Sequence, residues 1–86
     1  MTNKYVLEEL MKIPSTDTTS LFSSLNILRQ YGDVILTQNE NFDTIYQMSM
    51  DDLLSHDIDD DTLLKIRNGG WEISQNGNFL IKNLNN

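Results

Sequence analysis

Residues 51–82 decide the fold and read DDLLSHDIDDDTLLKIRNGGWEISQNGNFLIK. Their helix-start signals and apolar spacing predict two short helices, 49–55 and 59–68, because each apolar stretch follows a capping residue. Alternating apolar residues on either side of a glycine-containing turn then predict a β-hairpin over 71–82. This half of the chain is therefore expected to be helix, helix, hairpin.

The two helices have the same opening device. Ser49 and Asp52 form a capping-box pattern at the start of the first helix, and Asp59 is the expected N-cap of the second. Gly69 or Gly70 is expected to close the second helix, since glycine adopts the left-handed conformation that ends many helices.

The hairpin can pair in two registers, which differ in what they bury. A two-residue turn at Asn76-Gly77 would pair Ser74 with Phe79 and divide the large apolar residues between the two faces. A three-residue loop, 75–77, with Gly77 at positive φ, gathers four of them on one face: Trp71, Ile73, Phe79 and Ile81. We expect the second register, with Leu80 on the other face and Trp71 in the core.

The first half of the chain predicts helices over 3–12 and 15–31, the latter ending at a left-handed Gly32. A short apolar run at 34–36 predicts a strand, and β-branched residues at 44–45 leave a second one open, with a loop at 38–41. Eighty-six residues fit one domain, 1–86. The expected fold class is α+β.

In this order of elements the chain resembles the winged-helix family. The resemblance rests on the apolar positions that join the two short helices, Leu53, Ile58, Leu63 and Ile66, and on GGWEISQNGNFLIK as the wing. It implies a winged-helix-like domain with an added N-terminal helix. Members of this family bind DNA by laying the second short helix in the major groove. The chain departs from the family at Asp57, where glycine is common, and at Leu54, where a small residue is common.

The charge is concentrated at the place where the family meets DNA. The chain has a net charge of −7, and residues 51–61 hold six aspartates without a lysine or arginine. Such a field repels nucleic acid and anionic lipid and favours basic partners. Three cations, Lys65, Arg67 and Lys82, follow the block and are too few for strong phosphate binding.

Residue types that carry chemistry are sparse. Without cysteine, and with His56 as the only histidine, the chain offers no thiolate or histidine-cluster metal site and no clear catalytic constellation. Asp57, Asp59 and Asp61 have the first spacings of a calcium loop, but Thr62 and Asn68 stand where that loop needs glycine and glutamate. We expect no enzyme activity and no cofactor.

These patterns predict a small acidic protein-binding module that engages the basic surface of a nucleic-acid-binding protein as a DNA-mimicking, non-enzymatic inhibitor. The expected contact residues are Asp51, Asp57, Asp60 and Asp61, because capping leaves the first two unexplained. In size and acidity the chain is similar to small phage and mobile-element inhibitors, anti-CRISPR proteins among them. A winged-helix DNA-binding regulator is the alternative. No direct nucleic-acid or membrane binding is expected, and the absence of cysteine suits the cytoplasm.

Overall fold

The computed structural model describes residues 3–12 and 21–85. Within these residues there are four helices and four strands. In chain order they are α1 (Asn3–Met11), α2 (Leu21–Arg29), β1 (Val34–Gln38), β2 (Thr44–Ser49), α3 (Met50–Leu54), α4 (Asp60–Asn68), β3 (Glu72–Ile73) and β4 (Phe79–Asn83).

The strands form one antiparallel sheet in the order β1-β2-β4-β3. The expected α+β class is confirmed, and both strands considered for the region 34–49 exist. They form a hairpin of their own, so the sheet has four strands where the sequence patterns predicted one strand and a hairpin. β1 and β3 are its two edges.

The core lies between the helices and one face of the sheet. Trp71 is only 1% exposed, which confirms its predicted place in the core, and its ring centroid lies 6.3 Å from that of Tyr46. The buried cluster consists of Leu7, Leu25, Leu28, Met48, Met50, Leu53, Ile58, Leu63, Ile66, Trp71 and Leu80. Each helix contributes at least one of these residues, so all four are held on the same apolar layer.

The caps of the two short helices are confirmed. The Ser49 hydroxyl accepts a hydrogen bond from the Asp52 N–H at 3.4 Å, and the Asp59 carboxylate accepts one from the Thr62 N–H at 2.8 Å. At the other end of α4, Gly70 follows at a φ of +88°. Local hydrogen-bonding chemistry therefore sets both helix starts.

The predicted hairpin register is wrong. Ile73 pairs with Leu80, and the Ser74 N–H donates to the Phe79 carbonyl at 2.8 Å, so the four residues 75–78 link the strands. Gly77 does adopt positive φ, +77°, and its N–H donates to the Ser74 carbonyl.

The hairpin register differs from the prediction because both faces of the sheet carry apolar residues. Leu80 is fully buried in the core, whereas Phe79 and Ile81 lie on the opposite face of the sheet, which also carries Ile45, a residue that is 4% exposed. Apolar alternation therefore does not select a register here. The Ser74 hydroxyl, which accepts from the Phe79 N–H and donates to Asn76 Oδ1, stabilises the longer loop instead.

The end of α2 also differs from its prediction. Gly32 does not have positive φ; the helix ends as the N–H groups of Tyr31 and Gly32 both donate to the Leu28 carbonyl. Gly32 is instead a point of close approach, because an added Cβ would lie 2.9 Å from Asp52 Cβ. The predicted start of this helix, at residue 15, lies outside the described residues.

Candidate interaction surface

Six aspartates lie along one connection of the fold. We call them the acidic block: Asp51, Asp52, Asp57, Asp59, Asp60 and Asp61. All six are exposed. The first two are in the first turn of α3, and the others follow that helix, in the link to α4 and in its first turn.

Capping accounts for only part of this charge. Asp59 is the N-cap of α4, and hydrogen bonding by Thr62, through its side chain and its backbone N–H, holds the pKa of Asp59 below its usual value. Asp60 and Asp61 lie in the first turn, where the helix dipole favours carboxylates. The cap of α3 is a serine, and Asp51, like Asp60 and Asp61, lies in a first turn; Asp57, in the link before α4, has neither a capping role nor a first-turn position.

In the described part of the chain no lysine or arginine lies at ion-pair distance from a carboxylate of the block, although the charge of Lys65 contributes to lowering the pKa of Asp59. The ion pairs found there involve α1 and the residue that follows it: Lys4 with Glu8 at 4.0 Å and Lys12 with Glu9 at 3.0 Å. Like charges gathered without counter-ions repel each other and destabilise a compact monomer. The block is therefore a surface with a large excess of negative charge.

Buried residues anchor the segment that carries the acidic block to the core. Leu53, Ile58 and Leu63 are buried in the core, at or next to the three stretches of chain that hold the aspartates. His56 adds a link to the end of α2, because its Nε2 lies 3.0 Å from the Tyr31 carbonyl oxygen and the two rings are 5.1 Å apart. The carboxylates thus project from an anchored segment.

One of the cations that follow the block is engaged inside the fold. Arg67 is 9% exposed; its Nε donates to the Leu10 carbonyl at 2.9 Å, and a terminal nitrogen donates to Asn68 Oδ1 at 3.1 Å. It thereby joins α4 to the C-terminal end of α1, where a cation is favourable. Lys65 and Lys82 remain as the cations after the block that could meet phosphate.

Metal chemistry has no geometric support in the described residues. No group of three His, Cys, Asp or Glu side chains converges there to hold a metal ion, although Asp57, Asp59 and Asp61 have calcium-loop spacing. A cleft of about 390 Å³ lies on the sheet face opposite the helices, lined in part by Ile45, Phe79 and Ile81.

Comparison of the chain with protein families, with curated proteins and with solved structures found no significant match. Among the helices of the described residues, none is long and apolar enough to cross a membrane.

The structure keeps the four predicted contact residues exposed. Asp57, Asp60 and Asp61 lie within five residues at the start of α4, while Asp51 lies at the far end of α3. Sequence patterns missed the roles of His56 and Arg67, because the partner atoms of both are backbone carbonyls distant in sequence, which leave no residue-type signal.

Proposed function

We propose that the chain is a small acidic protein-binding module that engages the basic surface of a nucleic-acid-binding protein. Asp51, Asp57, Asp60 and Asp61 would contact lysines and arginines of that partner. The observation that carries the proposal is the acidic block itself: six exposed aspartates within eleven residues, without a cation at ion-pair distance in the described residues.

The mode of action follows from the charge and its support. Carboxylates on an anchored segment present fixed negative charge, as a phosphate backbone does, and such fields steer and accelerate association with basic surfaces. A module of this kind occupies a nucleic-acid groove by competition and needs no chemistry. It acts as a non-enzymatic inhibitor or modulator in the cytoplasm, in the manner of small phage and mobile-element inhibitors.

The proposed scaffold is a variant of the winged helix. Three features support it: α3 and α4 stand between β2 and β3, β4 lies between those two strands, and β3 and β4 form a terminal hairpin. In this frame α1 and β1 are additions, and α4 takes the position of the recognition helix. Its groove-facing end then carries Asp59, Asp60 and Asp61.

The same order of elements favours a second candidate, a winged-helix regulator that binds DNA directly. Phosphate neutralisation supplies most non-specific DNA affinity. Here the N-cap and first turn of α4 would hold three carboxylates against phosphate, and Arg67 is committed to the Leu10 carbonyl. A gel shift with random duplex at low micromolar protein in about 150 mM salt separates the candidates. A shifted band would favour the regulator and contradict the protein-binding module.

The protein-binding proposal is tested by capture followed by competition. Immobilised protein is exposed to a nuclease-treated bacterial lysate, and each captured protein is purified and bound to random-sequence duplex. We expect the free wild-type chain to displace that duplex. The Asp60→Asn/Asp61→Asn variant should keep the fold, since neither residue is the cap, and should displace duplex at least about ten-fold less well.

The matched control removes the same charge elsewhere. Glu40→Gln/Glu72→Gln neutralises two exposed carboxylates, one in the β1–β2 loop and one on β3. It should compete like the wild type. If both variants lose the ability to displace duplex equally, only net charge matters. If the captured protein never releases its nucleic acid to the wild-type chain, the proposed competition is contradicted.

A further inference from the structure

The two edges of the sheet are built differently. β3 has two residues, one of them the exposed Glu72, and α1 packs against it. β1 has five residues, VILTQ, without charge or proline. Proteins protect edge strands by making them short, by adding charge or proline, or by covering them. β3 is short and carries a charge, whereas β1 is neither short nor charged; helix contact does not distinguish the two edges, because α2 contacts β1 as α1 contacts β3.

The side chains of β1 are apolar and exposed. Ile35 is 52% exposed and Leu36 is 60% exposed, and alternation along the strand puts them on opposite faces of the sheet. No other strand of the described residues lies beside this edge. A long, uncharged, apolar edge of this kind is a template for pairing with another strand.

The backbone groups that face this edge can be identified from the ladder. The Asn39 N–H donates to the Asp43 carbonyl at 3.0 Å, and these residues continue the β1–β2 register. Hydrogen-bonded and non-hydrogen-bonded pairs alternate along an antiparallel ladder. Val34, Leu36 and Gln38 therefore direct their N–H and C=O groups away from β2, toward the free edge.

We propose that β1 pairs with β1 of a second copy of this chain, antiparallel, around a two-fold axis at Leu36. In this register Leu36 faces Leu36 of the other copy, and Val34 faces Gln38 of the other copy. All of these residues have outward backbone groups, so each facing pair exchanges two hydrogen bonds. Ile35 meets Thr37 of the other copy, a β-branched pair on one face. The two sheets join into one of eight strands.

Charge selects a second copy as the occupant. Residues 34–39 form an uncharged stripe on a chain of net charge −7, so two copies can approach there with the least repulsion. The proposed register also places Asp33 opposite Asn39 of the other copy, so no carboxylate faces a carboxylate across it. A basic partner would instead be drawn to the acidic block.

The arrangement also limits its own size. A two-fold contact uses the same patch on both copies and leaves none for a third. The remaining outer edges of the joined sheet are the two β3 strands, each of which has only two residues, carries the charged Glu72 and contacts α1. The assembly therefore closes as a dimer and does not extend into a fibre.

Sedimentation equilibrium of the purified chain, from about 10 µM to about 1 mM, tests the proposal. We expect the mass to rise from monomer to dimer across this range. Because the contact joins two acidic copies through uncharged groups, raising salt from about 0.05 to about 0.5 M should strengthen it. Partner binding by the acidic block should weaken over the same range, so the two interfaces are distinguishable.

The variant Leu36→Lys places two like charges directly across the axis and should weaken dimerisation at least about ten-fold. Its matched control is Leu64→Lys on α4, a leucine that is 41% exposed and lies away from this edge. Circular dichroism and Trp71 fluorescence establish that both variants fold. The Leu36 amide hydrogen should exchange more slowly in the wild-type dimer than in the monomer, which prevails at low concentration and in which this amide faces solvent.

A chain that stays monomeric up to 1 mM in high salt would overturn the proposal. A dimer that tolerates Leu36→Lys would also overturn it, as would a dimer weakened equally by Leu64→Lys. So would a dimer that dissociates as salt is raised.

Discussion

Replacement of Gly69 by alanine tests how α4 is held against α2. The backbone at Gly69 has a φ of −73°, which any residue can adopt, so its conformation alone does not demand glycine. Space does. An added Cβ would lie 2.7 Å from Ser24 Cβ and 2.9 Å from Ser24 Oγ, and Ser24 is fully buried on α2. The two helices meet at this point.

The expected cost follows from that contact. Carbon atoms pack at about 3.5–4.0 Å, so one helix must move by about 1 Å, and overpacking of this kind costs about 1–3 kcal/mol. Alanine recovers part of this by restricting the unfolded chain, by about 0.4–1 kcal/mol. We therefore expect Gly69→Ala to lower the free energy of unfolding by about 1–2 kcal/mol. Urea unfolding followed by Trp71 fluorescence measures it.

A double-mutant cycle shows whether Ser24 is the cause. Ser24→Gly removes the opposing Cβ and should be less harmful with Gly69→Ala than the two single effects predict, by at least about 0.5 kcal/mol. Ser24→Ala is the control, because it keeps that Cβ and should give no rescue. Additive effects in the Ser24→Gly cycle, or a Gly69→Ala protein as stable as wild type, would refute the close approach.

Three further predictions concern single residues. Gly77→Ala should destabilise by about 1 kcal/mol through backbone strain alone, since φ is +77° and the site is open; an unchanged urea midpoint would argue against a left-handed turn. Arg67→Met should cost about 1–3 kcal/mol by leaving the Leu10 carbonyl unpaired and should increase amide exchange in α1; uniform exchange across the chain would count against the link. Thr62 holds the pKa of Asp59 low, so stability from this cap is present at neutral pH and is lost below about pH 4. Asp59→Asn, which still caps, should flatten this acid dependence, and an identical pH profile would show that the cap does not titrate.

Sequence patterns predicted those parts of the fold that depend on local chemistry. The starts of α3 and α4 were predicted from Ser49 and Asp59, because a capping side chain bonds to N–H groups two or three residues away. Trp71 is buried, as expected for a large aromatic residue. Gly77 has the predicted positive φ, although it was predicted as part of a three-residue loop that the structure does not have.

The features that escaped prediction depend on contacts between distant segments. The hairpin register could not be predicted from apolar alternation, because Phe79 and Ile81 lie with Ile45 of β2 on a second apolar face of the sheet. Gly32 is required by the approach of Asp52 and not by its own conformation. The exposure of the acidic block could be predicted because charge patterning is local, whereas the commitment of Arg67 to α1 could not.

The central claim is that the acidic block is an electrostatic docking surface. Its most direct test is the association rate constant with a captured partner, measured by stopped flow between about 50 and about 500 mM salt. The rate should fall at least about ten-fold over this range, because fixed charges act mainly on encounter. Asp60→Asn/Asp61→Asn should lower the rate at low salt and reduce the salt dependence, while Glu40→Gln/Glu72→Gln should leave both near wild type. A rate indifferent to salt and to the Asp60/Asp61 pair would contradict the claim and leave the block as a solvated face of the fold.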